Sequence, residues 1–103
     1  MSPLPPEVLK ELQQEYISSF ADKEKAIENA LTARDWKSLL QHFHKLAGSG
    51  ATYSMPEITE LCRTVENYLL QTPQPSEKVL VDSISVLKKI FASRKSGESY
   101  KLS

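Results

Sequence analysis

Apolar residues recur every three or four positions through nearly the whole chain, and proline stands only where those stripes begin. That spacing belongs to amphipathic helices, and proline is tolerated in the first turn of a helix but breaks its interior. No alternating apolar/polar run of strand length occurs, nor any Asn-Gly or Asp-Gly hairpin signal. The chain therefore reads as all-α.

Four helical stretches follow from this pattern. From Pro6 to about Arg34, Val8, Leu9, Leu12, Tyr16, Ile17, Phe20, Ile27, Ala30 and Leu31 keep helical spacing, with a bend or break at Ala21-Asp22-Lys23. Asp35 is placed to cap a second stretch, Trp36 to about Tyr53. Its apolar face holds Trp36, Leu39, Leu40, Phe43, Leu46, Ala47, Gly50 and Ala51. Ser54 followed by Glu57 is a capping-box spacing, with Pro56 inside the first turn of a helix that buries Met55, Ile58, Leu61, Cys62, Val65, Tyr68 and Leu69. Ser76 caps a last helix, with Val79, Leu80, Ile84, Leu87, Ile90 and Phe91 inward and Arg94 and Lys95 at its C-terminal end. Short connections between such helices give an antiparallel up-and-down four-helix bundle with an N-terminal helical extension. Residues 1–5 form an arm, 6–96 the bundle and 97–103 a flexible tail.

Composition narrows the function. With 103 residues the chain has room for one domain. Lys plus Arg and Asp plus Glu number 13 each, and the absence of a basic excess argues against nucleic acid as partner. The single cysteine, Cys62, cannot close an internal disulfide and lies on an apolar stripe, where a buried, inert thiol is expected. The opening Met1-Ser2-Pro3-Leu4 has neither part of a signal peptide, and no apolar run approaches membrane-spanning length. A cytoplasmic domain is expected, and, with Met1 at the front and no kinase fused, a free-standing one.

Gln41-His42-Phe43-His44-Lys45-Leu46-Ala47-Gly48-Ser49-Gly50 is the unusual segment. Each glycine within a helix costs about 1 kcal/mol relative to alanine, so something must offset it. Gly50 lies in the apolar face, about 40° from Trp36, where close packing of a second helix accounts for it. Gly48, about 120° from Trp36, lies on the rim facing solvent and is stacked one turn beyond His44. A side chain there would overhang the imidazole, since helical side chains lean toward the N-terminus. Gln41 and Lys37 extend the same strip, and Lys45 lies about 100° around from His44. His42 points elsewhere and is expected to be solvated. At i, i+2 the two histidines cannot share a metal. The run Asp22-Lys23-Glu24-Lys25 reads as a solvated face.

A neutral, accessible imidazole titrates near about 6.5 and is a competent nucleophile. An open ring with cations nearby suits an anionic electrophile such as a phosphoryl group. The chain has no Walker loop, glycine-rich nucleotide loop or Asp/Asn set for magnesium, so the phosphoryl donor must be another protein.

His44-Lys45-Leu46-Ala47-Gly48-Ser49-Gly50 resembles the signature of histidine-containing phosphotransfer (HPt) domains, often His-x-Leu-x-Gly-Ser. Pro5-Pro6-Glu7, Asp35-Trp36 and Pro56-Glu57-Ile58 fit the flanking pattern, so the resemblance covers nearly the whole chain. It implies that His44 accepts phosphate and that Gly48 admits a response-regulator receiver domain. It also implies docking on receivers or a hybrid sensor histidine kinase, with magnesium on the receiver and no cofactor on this chain. Two positions depart from the pattern. Ala47 replaces a common Lys or Arg, with Lys45 and then Lys37 as candidates to supply that charge, and Ser54 replaces a common glycine. A non-catalytic helical adaptor that docks without carrying phosphate is the alternative, and an unrelated structural bundle is a third.

Overall fold

A computed structural model describes residues 4–102 and contains α1 (Pro6–Ser18), α2 (Phe20–Thr32), α3 (Trp36–Thr52), α4 (Pro56–Gln71) and α5 (Glu77–Lys95). Residues 1–3 of the expected arm and residue 103 of the tail lie outside the described residues. Helices α2, α3, α4 and α5 pack in a closed ring, each against the next and α5 against α2. Within this ring, short connections make successive helices antiparallel. Helix α1 extends the bundle and lies against α2 and α5. No strand occurs among the described residues.

The break in the first helical stretch falls at Ser19, ahead of Ala21–Lys23. Ser18 and Ser19 turn their hydroxyls onto the Glu15 and Tyr16 carbonyls, each at 2.6 Å, which offers the backbone an alternative to the helical ladder. The change of direction brings Phe20 inward, where its ring stacks on Phe91 at 3.8 Å between centroids. Phe20, Phe43, Leu39, Ile58, Cys62, Leu80, Leu87 and Ile90 are fully buried at the centre. Burying each such large side chain contributes roughly 1.5–3 kcal/mol. Val79, expected inward, is exposed, and so is Ala51; Leu80 takes the inward place at the start of α5.

The connection from α3 to α4 corrects the capping-box reading. Ser54 has φ 59°, its N–H donates to Ala51 O, and Met55 N–H donates to Gly50 O at 2.7 Å. This pair of bonds is a Schellman motif, so Ser54 closes α3 instead of capping α4. The N-cap of α4 is Met55, without a side-chain cap. Glu57 does not reach back to the cap. It crosses to α5 and accepts two hydrogen bonds from Arg94, Nε to Oε2 at 2.5 Å and Nη2 to Oε1 at 2.9 Å. Ser76 caps α5 as expected, accepting from Val79 N–H. Beyond Gly97, Tyr100 and Leu102 are half-buried against the core, in a groove with Leu61 of α4 and Val86 of α5.

Candidate functional site

Asp35 fixes where α3 begins. Its carboxylate accepts from the Ser38 hydroxyl at 2.6 Å and the Ser38 N–H at 3.1 Å, and these bonds hold its titration below the ordinary carboxylate range. From that start, Leu39, Phe43, Leu46, Ala47 and Gly50 face the core. Lys37, Gln41, His44, Lys45 and Gly48 remain exposed.

At Gly50 the second helix comes close. A methyl group there would fall 2.7 Å from Thr59 Oγ1 and 2.9 Å from the Thr59 backbone nitrogen. Glycine leaves room for the Thr59 hydroxyl to donate to Ala47 O at 2.7 Å, which pins α4 against α3 in one register. Gly48 is the opposite case. A methyl group at that position meets no heavy atom of the described residues within 4 Å. Nothing inside the protein requires glycine there, so the open volume faces outward.

His44 carries a side chain that is 73% exposed, and its Nδ1 lies 2.6 Å from Glu66 Oε2 on α4. A carboxylate only accepts, so in the neutral ring Nδ1 carries the hydrogen and the lone pair of Nε2 is left free. The Glu66 side chain is 19% exposed, half-sheltered against the helix pair. The sequence reading missed Glu66. The signal was available only indirectly: once Gly50 meets Ile58 and Thr59, antiparallel geometry at about 1.5 Å per residue puts His44 level with positions 64–66.

Lys37, Gln41 and Gly48 share the outer strip with His44, within about 60° of it on the helix. Lys45 does not. It lines a groove of about 430 Å³ against α1 and α2, together with His42, Lys23, Ile27 and Tyr53. His42, expected in solvent, is half-buried there. Lys23, from the run read as a solvated face, donates to Ser19 Oγ at 2.9 Å and stands 5.4 Å from the Tyr16 ring centroid. Cys62 is buried, and desolvation pushes its thiol up to about 12. Among the described residues no three His, Cys, Asp or Glu side chains gather to hold a metal, and no helix is long and apolar enough to cross a membrane.

A family model described as Hpt domain matches residues 11–94. The chain belongs to the Hpt domain family. Hpt domains are helical phosphocarriers of phosphorelays that work with receiver domains and kinases, which agrees with the bundle described above. Comparison with curated proteins and with solved structures finds no match.

Proposed function

We propose that this protein is a cytoplasmic histidine phosphotransfer protein that accepts a phosphoryl group on His44 Nε2 from a receiver domain's aspartyl phosphate and passes it on. One observation carries the reading: the ring stands clear of the bundle while Glu66 fixes its other nitrogen. An exposed ring without an orienting partner would sample several rotamers and both tautomers; this one has a single nitrogen presented.

The step balances as an in-line displacement. The Nε2 lone pair attacks phosphorus, the bond from phosphorus to the aspartyl oxygen breaks, and its electron pair leaves with the aspartate carboxylate. The ring then carries the phosphoryl group on Nε2 and the original hydrogen on Nδ1, and is cationic. Glu66, bonded to that hydrogen, stabilises the positive charge as it develops. The reverse attack by a second receiver's aspartate returns the ring to its neutral form. Gly48 leaves the space through which the receiver approaches, and Lys37, Gln41 and Lys45 form its docking surroundings. Magnesium, in this scheme, is held by the receiver. The protein is a carrier, without kinase activity of its own.

The test is transfer of radiolabel from phosphorylated receiver domains of the source cell to the wild-type protein, His44→Gln and His42→Gln. Acid-labile label on the wild type and on His42→Gln, but not on His44→Gln, supports relay. Receiver binding with no label on any of the three overturns relay in favour of a docking adaptor. No receiver binding at all overturns both in favour of a structural bundle.

A further inference from the structure

Helix α4 flanks the strip of α3 that carries His44 and Gly48. Antiparallel packing sets Glu66 level with His44 and Thr59 level with Gly50. Arg63 lies between those two on α4, one turn before Glu66, about 4.5 Å along the axis, and so level with Leu46 and Ala47, just short of Gly48. Thr59 and Glu66 both meet α3, and Cys62 is buried. Arg63 is rotated about 60° from Glu66 and about 40° from Thr59, away from Cys62, which places it on the outer shoulder of α4. It is exposed and lines the groove between the helices with Ala51, Ser54, Thr59 and Glu60. Glu60 shares that groove without pairing to it, Glu66 is committed to His44, and among the described residues the guanidinium has no hydrogen-bond or ion-pair partner.

We propose that Arg63 is the cation that holds the phosphoryl group on His44, reaching from α4 across the gap that Gly48 leaves open. This assignment rests on the relay reading above. A phosphoryl group on Nε2 brings two negative charges to a strip on which the position three residues beyond His44 is the buried, apolar Ala47. Lys45 faces the groove on the far flank. Lys37 stands seven residues back, about 10.5 Å along the axis. Arg63 is one turn from Glu66, exposed, and carries a planar fork of donors that matches phosphoryl oxygens in pairs.

Phosphoramidate tests this without a protein partner, because the ring nitrogen displaces ammonia from phosphorus directly. Labelling of the full chain is followed by 31P NMR, together with the pH titration of the bound phosphoryl group. Arg63→Ala is expected to slow labelling by about tenfold and to raise the phosphoryl group's titration. Arg63→Lys should recover most of both effects, and Lys45→Ala and Lys37→Ala, at the docking surroundings, should each slow this partner-free labelling less than Arg63→Ala does. Because Arg63 is exposed and unpaired, thermal unfolding of Arg63→Ala should match the wild type, so a slow variant is not an unfolded one. A rate within about twofold of wild type and an unchanged titration for Arg63→Ala would overturn the assignment while leaving His44 as the labelled residue. A larger effect from Lys45→Ala or Lys37→Ala would overturn it equally. A wild-type chain that takes no label on His44 overturns the relay reading itself, and Arg63 with it.

Discussion

His44 and Glu66 stand 22 positions apart along the chain and 2.6 Å apart in space, on neighbouring antiparallel helices. The pair unites two requirements that conflict for an isolated histidine. The ring must be exposed to meet a partner, yet it must hold one orientation to react. A carboxylate on the adjacent helix satisfies the second without covering the first.

If that is how the site works, Glu66 is a positioning residue whose effect depends on both its oxygen and its charge. Glu66→Gln keeps an acceptor for Nδ1–H and should slow phosphoryl transfer by about tenfold, whereas Glu66→Ala removes the partner and should cost up to about a hundredfold. The 15N shifts of His44 distinguish this from a packing effect. Wild type and Glu66→Gln should show Nδ1–H predominating, and Glu66→Ala a mixture of tautomers. Equal rates in all three proteins would remove Glu66 from the mechanism.

The two glycines of α3 predict effects of opposite sign. Gly48→Ala adds a methyl group to empty space and a better helix former, so it should raise stability by about 1 kcal/mol. Gly50→Ala drives a methyl group against the Thr59 backbone and should cost about 1–3 kcal/mol, with the Thr59-to-Ala47 bond strained or lost. Urea unfolding of the two variants checks both signs. A bulkier change, Gly48→Gln, should block transfer from a receiver, while crowding of the gap that Arg63 crosses should slow labelling by phosphoramidate only by about tenfold, as Arg63→Ala does. That difference in degree separates access by a protein from access by a small donor.

Most of the bundle is legible from spacing alone, because a stripe of Leu39, Phe43, Leu46 and Gly50 has only one face to bury. The outward position of Gly48 and the close approach at Gly50 are legible for the same reason. What spacing hides is contact between helices. Glu57 at a capping-box position gives no local sign that Arg94, 37 residues later, will claim it. Glu66 and Arg63 look like ordinary surface charges until the register of α4 on α3 is known. Ser54 misleads for a different reason: serine favours both caps and turns, and only the left-handed φ shows that it ends one helix instead of starting the next.

The Glu57–Arg94 pair carries its own prediction. Both side chains are largely buried, at 7% and 17% exposure, and the pairing is bidentate. Removing one partner strands the other charge in the interior, so Glu57→Ala should destabilise the fold by about 3–5 kcal/mol. Replacing both, as Glu57→Leu with Arg94→Met, should bring stability back to within about 2 kcal/mol of wild type or above it. A double variant as unstable as Glu57→Ala would mean that the pair contributes net stability, and chemical denaturation of the three proteins decides the matter.

Alkaline pH should loosen this bundle through two buried groups. Burial pushes both the Cys62 thiol and the Tyr16 hydroxyl up to about 12. In the unfolded chain a thiol releases its proton near about 8.5 and a phenol near about 10, so above those values the unfolded state holds fewer protons than the folded one. Stability therefore falls as pH rises, fully present below the unfolded values and lost progressively toward the folded ones. Replacing Tyr16 by Phe removes one of the two titrating groups, along with its 2.6 Å bond to Ser49 Oγ. Tyr16→Phe should accordingly be less stable than wild type at pH 8 yet lose less on going to pH 11. The same burial predicts that Cys62 reacts with Ellman's reagent at pH 8 only at the rate of unfolding. Rapid modification of the native protein would show that the α3–α4 face opens locally, and the firm platform on which the His44–Glu66 geometry depends would be lost with it.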